Sequence, residues 1–299
     1  MFRITHAASH ARRVRQMNSA LTGLSVVERQ LSSGKRFTTP GEAPEAAARV
    51  LRIERKMSDL RTYDENIQTG RSMLARAETA VVSLSDVVDA ARSLALQMAD
   101  SFYDGDRADQ VPYATGLVDA AMDLLNTSFD DIYLFGGHQS SAPPYSLDVG
   151  GQPVYAGDSG GMELDVSDGA RAQVNIDPAQ EFNGGGGTRE DIMQLLVDLR
   201  DALAADNQGA IGAMTDRFQD AIADLSETVS SLGSRYKKLE VHASINEMQD
   251  LELERLRSSI EDTNYAEAAS ELSLRQTAYQ ASLASTAQVQ GLSLLNYMR

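Results

Sequence analysis

The sequence predicts a mainly α protein: a long antiparallel helical bundle, a coiled-coil rod formed by both chain ends, with a small β-rich insert in the middle. Three observations predict it. Apolar residues recur at steps of 3 and 4 over two very long proline-free stretches. Between them lies a segment dense in Gly, Pro and Asp, with short alternating runs. The apolar residues are also of the right kind: 42% of the chain is hydrophobic but only 6% aromatic, with no Trp. Aliphatic, alanine-rich surfaces suit helix seams better than a thick globular interior.

The first periodic stretch runs Val14, Met17, Leu21, Leu24, Glu28, Leu31, a heptad seam interrupted by one polar Glu. "SSGKRFTTPGEAPE" then breaks it with Gly34, Pro40, Gly41 and Pro44. A longer seam follows: Ile53, Lys56, Leu60, Tyr63, Ile67, Gly70, Leu74, Ala77, Val81, Leu84, Val88, Ala91, Ala95, Met98, with Lys56 and Gly70 its weak members. No proline interrupts residues 45–100, which predicts one helix of roughly 80 Å at 1.5 Å per residue. A third helix reads from Asp106 to Ser128, with Pro112 near its start and Asp106 as its cap.

Residues 136–188 change character. "QPVYAG", "MELDV" and "RAQVNI" read as strands of a small antiparallel insert, closed by "NGGGG" as a flexible exit. Thr188 with Asp191 three residues on reads as an N-cap signature, and helix resumes at Ile192, Leu195 and Leu199. The last long helix carries Ile211, Met214, Phe218, Ile222, Leu225, Val229, Leu232, Tyr236, Leu239 and Ala243. After Leu253, Leu256 and Ile260 it pauses at "EDTNY" and continues to the end. Met17, Met57, Met73, Met98 and Met214 lie on or near these seams and read as packing residues. Long helices on either side of an insert bury their seams most simply against each other. The expected division is a terminal coiled-coil assembly domain (1–40 and 260–299), a helical rod domain (41–135 and 189–259) and a small β-rich outer domain (136–188).

Charge narrows the partners. The net charge is −16, unevenly spread: residues 1–57 hold 11 Lys/Arg against 4 Asp/Glu, and the other 242 hold 16 against 39. An acidic body disfavours nucleic acid. The N-terminus lacks the apolar core of a secretory signal peptide, and no stretch is apolar enough for membrane insertion. With no cysteine, disulfide and zinc-thiolate chemistry are excluded.

The chain's end is unusual. Between Gln276 and Met298 there is no charged residue, and Ala and Ser occupy most sides of the predicted helix. It is either an unordered tail or a helix covered on every side inside an assembly. The accumulated leucines point to the second. Leu21, Leu24 and Leu31 of the first seam, with Leu274, Leu283, Leu292, Leu294 and Leu295 of the last helix, are the expected assembly interface.

Motifs that suggest chemistry do not survive inspection. Gly157-Asp158-Ser159-Gly160-Gly161 matches the pentapeptide around a protease nucleophile, which needs a histidine to take the Ser proton. His6, His10 and His242 lie in helical stretches. His138, in the loop leading into the insert, has no two-barrel framework to orient it. The motif reads as a Gly-rich hairpin turn joining "PVYAG" to "MELDV". "DGDRAD" lacks the distal ligands of a calcium loop, and "GGGG" at 184–187 lacks the Lys-Ser/Thr of a phosphate loop. No enzyme, cofactor or metal site is expected.

"LSSGKRFTTPGEAPEAAARVLRI" with "TYDENIQTGRSMLARAETAV" resembles the N-terminal region of the bacterial flagellin superfamily. "SSIEDTNYAEAASELSLRQTAYQASLASTAQVQGLSLLNYM" resembles its C-terminal region. "IYLFGGHQSSAPPYS" and the ending "LSLLNYM" resemble the hook-associated protein 3 family of hook–filament junction proteins within it. The resemblance covers residues 1–140 and 190–299. It implies paired termini in an inner coiled coil and a structural role: self-association in a ring that joins hook-associated protein 1 to flagellin. It also implies secretion through the flagellar export apparatus with a dedicated export chaperone, and an extracellular place at the junction. The short middle departs from relatives with large outer domains. Flagellin itself shares both termini and stands as the alternative; a cytosolic coiled-coil scaffold is the rival from another class.

Overall fold

The computed structural model describes residues 6–101, 105–176 and 191–297, with side chains described between 11 and 287. In order, the elements are α1 (His6–Ser33), α2 (Pro44–Met98), a 3-10 turn (Arg107–Gln110) and α3 (Val111–Leu125). Six short strands follow: β1 (Ser128–Phe129), β2 (Ile132–Tyr133), β3 (Tyr145–Leu147), β4 (Pro153–Tyr155), β5 (Glu163–Ser167) and β6 (Ala170–Gln173). The chain closes with α4 (Ile192–Ala204), α5 (Gln208–Glu261) and α6 (Tyr265–Tyr297). It divides into two compact units, Asp59–Met248 and Met1–Ser58 with Gln249–Arg299.

In the unit Asp59–Met248 the sequence seam of α2 is the buried face. Leu60, Ile67, Leu74, Ala77, Val81, Leu84, Val88, Ala91, Ala95 and Met98 are all buried, and Tyr63 is half-buried. Met73, Ala80 and Leu94 form a second buried row. A helix contacted from two sides needs such a row, and the single 3–4 stripe did not announce it. Nearer the start of α2, Lys56 is exposed and Met57 takes the buried place beside it, since an ammonium stays in water where a thioether can pack.

Long helices α2 and α5 run antiparallel. Gln208 Nε2 donates to the Ala99 carbonyl, and the Arg71 guanidinium lies 5.0 Å from the Tyr236 ring centre. A Cβ on Gly70 would lie 3.2 Å from Leu239 Cδ1, and Asn246 Nδ2 is 3.5 Å from Asp64 Oδ1. As one partner's number falls the other's rises by a similar amount, as opposed helices of equal rise require. Shorter α3 and α4 pack on each other. Of the 13 residues in α4, Ile192, Met193, Leu195, Leu196, Val197, Leu199, Ala202 and Leu203 are buried, so this helix is covered nearly all round.

Several boundaries differ from the sequence reading. Asp106 caps the 3-10 turn, accepting from Ala108 N at 2.9 Å, and α3 itself starts only at Val111. Pro112 sits in the first turn of α3, where its missing N–H has no helical acceptor to lose. The helix ends at Leu125 because Asn126 turns aside, exchanging two 2.9 Å hydrogen bonds with the backbone of Tyr145. Ser128 therefore begins β1 and is not helical. At the return to helix, Asp191 is itself the N-cap, accepting from Gln194 N at 3.0 Å. Thr188 and the glycines at 184–187 lie outside the described residues.

Among the described residues the strands form three separate antiparallel hairpins: β1–β2, β3–β4 and β5–β6. Strand β4 does not pair with β5, so Gly157–Gly161 is not a hairpin turn, as expected from sequence, but the connector between two hairpins. The hairpin turns lie elsewhere. Asp130 and Asp131, with φ of 48° and 63°, make the β1–β2 turn, and Asp168-Gly169 the β5–β6 turn. Helix side chains hold β5–β6: Asn66 Nδ2 donates to Asp165 O and Asn246 Nδ2 to Val166 O, both at 2.9 Å. Arg235 donates to the Asn175 carbonyl just beyond β6.

Candidate assembly surface

The unit Met1–Ser58 with Gln249–Arg299 is built on α1 packed against α6. On α1 the covered positions are Met17, Ala20, Leu24, Val27 and Leu31, spaced 3 and 4 apart, with Val27 fully buried. This shifts the sequence seam. Leu21 and Glu28 are exposed on its flank, and Ala20 and Val27 take their places. The shift has a plain cause: it keeps the Glu28 carboxylate in water and puts an aliphatic side chain in the seam. On α6 the matching row is Ala268, Leu272, Arg275, Tyr279, Ser282 and Thr286. Ala268 is buried and the Arg275 guanidinium crosses so close to Gly23 that a Cβ there would lie 2.6 Å from it. Glu271 anchors Arg275 at 2.9 Å.

Both helical breaks of this unit meet. Gly34 ends α1 in the left-handed region, φ 71°, its N–H bonded back to Gln30 O. The Tyr265 hydroxyl lies over it, 2.8 Å from where a Cβ would be. Arg36 N donates to Glu261 O, Thr263 N donates to Gly34 O at 2.8 Å, and Lys35 Nζ reaches Glu261 Oε1 at 2.5 Å. Glu42 folds the following loop back, accepting from Thr38 N at 2.9 Å and pairing with Arg29. The Thr38 amide, ahead of Arg29, holds the Glu42 carboxyl below its ordinary pKa.

Of the expected interface residues, Leu24 and Leu31 are half-buried in the α1–α6 seam. Leu21, Leu274 and Leu283 are exposed, by 47%, 70% and 41%. The side chains of Leu292, Leu294 and Leu295 lie outside the described ones, although α6 continues through them. The unit also exposes Leu256, which the sequence places on the seam of the last long helix, and Val26, Leu51 and Leu251, which sequence reasoning missed. The signal of these three was an apolar residue off the seam, and a seam search discards it.

The pentapeptide at 157–161 has a different task in the other unit. Asp158 Oδ1 accepts from His138 N at 2.6 Å and from Gly160 N at 2.9 Å, which lowers the Asp158 pKa, the His138 amide first. The Tyr155 hydroxyl bonds the carbonyls of Phe135 and Asp158 at 3.0 and 3.1 Å. Gly137, at φ 68°, lies directly under Asp158, and the His138 ring lies across Gly160. The structure thus brings His138 to the Ser159 loop, which the sequence reading did not foresee. Asp158 is spent on backbone amides, however, and Ser159 is exposed. The glycines allow two loops, Leu134–His138 and Gly157–Gly160, to lock together.

Comparison with known proteins agrees with this architecture. The model of the bacterial flagellin N-terminal helical region matches residues 4–140, and that of the C-terminal helical region matches 208–298. The chain is 22% identical to flagellar hook-associated protein 3 of Salmonella typhimurium over 298 residues, covering 90% of this chain and 91% of the relative. It is 23% identical to flagellin of Listeria innocua, covering 89% and 88%. Flagellar hook associated protein-3 of Legionella pneumophila superposes with a TM-score of 0.60 at 16% identity, over 69% of this chain and 98% of that one; this is a likeness of fold. With both terminal models matched, and the matched ends folded into antiparallel helices, the chain belongs to the bacterial flagellin superfamily.

Proposed function

We propose that this chain is a structural subunit of the bacterial flagellum at the hook–filament junction, joining hook-associated protein 1 to flagellin. It is a structural protein and not an enzyme, as its relatives are. The observation that carries the reading is the end-to-end match to hook-associated protein 3, with 91% of that relative covered. Its two matched ends pair as α1 and α6.

In this reading residues 1–40 and 260–299 form the inner assembly domain, 41–135 and 189–259 the helical middle, and 136–188 the outer insert. Exposed Leu21, Leu274 and Leu283, with Leu292, Leu294 and Leu295 beyond them, meet neighbouring subunits in a ring. The chain leaves the cell through the flagellar export apparatus, escorted by a chaperone. No described helix is long and apolar enough to cross a membrane.

Deletion of the coding sequence tests the reading. Cells should build hooks, lack filaments and release flagellin unassembled; intact filaments would overturn it. The nearly equal coverage of Listeria flagellin, 89% of this chain and 88% of the relative, supports a second reading, the filament subunit itself. Copy number separates the two, since a filament subunit is the bulk protein of sheared flagella.

A further inference from the structure

The two compact units carry opposite charge. Residues 1–58 with 249–299 hold 15 Lys/Arg against 11 Asp/Glu, and residues 59–248 hold 12 against 32. The excess of cations has a definite place. Arg49, Arg52 and Lys56 lie at steps of 3 and 4 on one exposed face of α2, turned away from the buried row Ala47, Val50 and Met57. Among the described residues none of the three has an ion-pair or hydrogen-bond partner, whereas Arg29, Lys35 and Arg275 of the same unit are each paired. Three adjacent like charges repel one another unless an anionic surface meets them.

The acidic unit presents a matching row. Asp220, Asp224 and Glu227 follow each other at steps of 4 and 3 on α5, along the flank of the face that buries Phe218, Ala221, Leu225 and Thr228. Asp220 and Glu227 are exposed and Asp224 is half-buried. Asp224 and Glu227 also have contacts within their own chain, but a carboxylate offers about four acceptor sites and can take a further cation. Read from Lys56 back to Arg49 the steps are 4 and 3; read from Asp220 to Glu227 they are again 4 and 3. Two helices laid antiparallel therefore bring the rows into register, each spanning about 10 Å at 1.5 Å per residue.

We propose that the Arg49, Arg52, Lys56 row of one copy docks antiparallel on the Asp220, Asp224, Glu227 row of a second copy. The contact is heterologous: the surface given differs from the surface received, so it propagates from subunit to subunit and closes only as a ring. Exposed ion pairs contribute little affinity, so the rows set register and partner choice while apolar surface supplies the holding energy. This inference rests on the reading of the chain as an assembling flagellar subunit.

Because the chain has no cysteine, single substitutions report the contact cleanly. Purified full-length Arg52→Cys and Ala223→Cys are mixed and oxidised at about 0.02 M and about 0.5 M salt. The expected result is a cross-linked heterodimer at low salt, reduced about tenfold at high salt. It should exceed the product of Arg52→Cys with Lys238→Cys by a similar factor. Adding Lys56→Glu to the first partner should suppress the cross-link, and Asp220→Lys in the second should restore it. A yield equal to the Lys238 pair, insensitivity to salt, failure of the swap, or monomers throughout each overturns the proposal. The deletion phenotype is independent: filaments lost with no cross-link sinks only this contact, and a specific cross-link with filaments intact sinks only the junction reading.

Discussion

Gly70 shows how one residue couples a helix to the insert. It occupies a seam position where any larger side chain would ordinarily be preferred. A Cβ there would stand 2.8 Å from Val174 Cγ1 and 3.2 Å from Leu239 Cδ1. Gly70→Ala should therefore lower stability by about 1–3 kcal/mol through overpacking, measured by denaturant unfolding. Asp158 makes a second residue-scale case. Its carboxyl is held below its ordinary pKa by the His138 and Gly160 amides, so its folded-state contribution is present above the unfolded pKa. The contribution disappears as pH falls through the lowered value. Asp158→Ala should thus melt earlier than the parent at neutral pH, with the gap closing in strong acid; a constant gap across pH would contradict the assignment. Ser159→Ala should change neither melting nor filament assembly, and a serine-directed phosphonate should leave the parent unlabelled.

At the scale of elements, periodicity identified the buried face of α2 over its whole regular length, because 3–4 spacing is imposed by helix geometry itself. The same rule failed by one residue on α1. There Ala20 and Leu21, and Val27 and Glu28, compete for adjacent positions, and the surface of α6 decides between them. The insert was harder. Strand pairing joins residues whose sequence signals are only two to five residues long, so "PVYAG" and "MELDV" look like natural partners although each pairs elsewhere. The β1–β2 turn was missed because two aspartates adopt positive φ without a glycine to advertise it. The leucines proposed for assembly stood out as unusual composition, whereas Leu51 and Leu251 were hidden by sitting off any seam, and Leu256, on the seam as read, is exposed. Leu74, 1% exposed in the middle of the α2 seam, gives the test at this scale. Leu74→Ala should cost about 2–5 kcal/mol. Arg76→Ala, two residues on and exposed, should cost close to nothing. Equal shifts in thermal melting would contradict the assigned face.

For the whole molecule, the two units should answer differently to damage at the chain ends. The core of Asp59–Met248 is closed by its own helices and hairpins, with Val81, Val88, Leu195 and Phe218 fully covered. Truncation after Thr263 should leave the melting of that core unchanged while exposing residues 11–33 to protease. Polar replacement of Leu294 and Leu295 should block incorporation into flagella with the core equally intact. If truncation lowers core melting as much as Leu74→Ala does, the units are not independent. The pairing of α1 with α6 also imposes an order in time. The first 28-residue helix and the last 33-residue one complete each other, and more than 200 residues separate them. On the proposed export route, a chain emerging end-first from a narrow conduit shows one of these helices long before the other is free. Until both helices are out, the seam of Met17, Leu24, Val27 and Leu31 has nothing of its own chain to close on. On that route the topology carries a completion signal: the surface that α1 and α6 build together exists only once both helices have emerged.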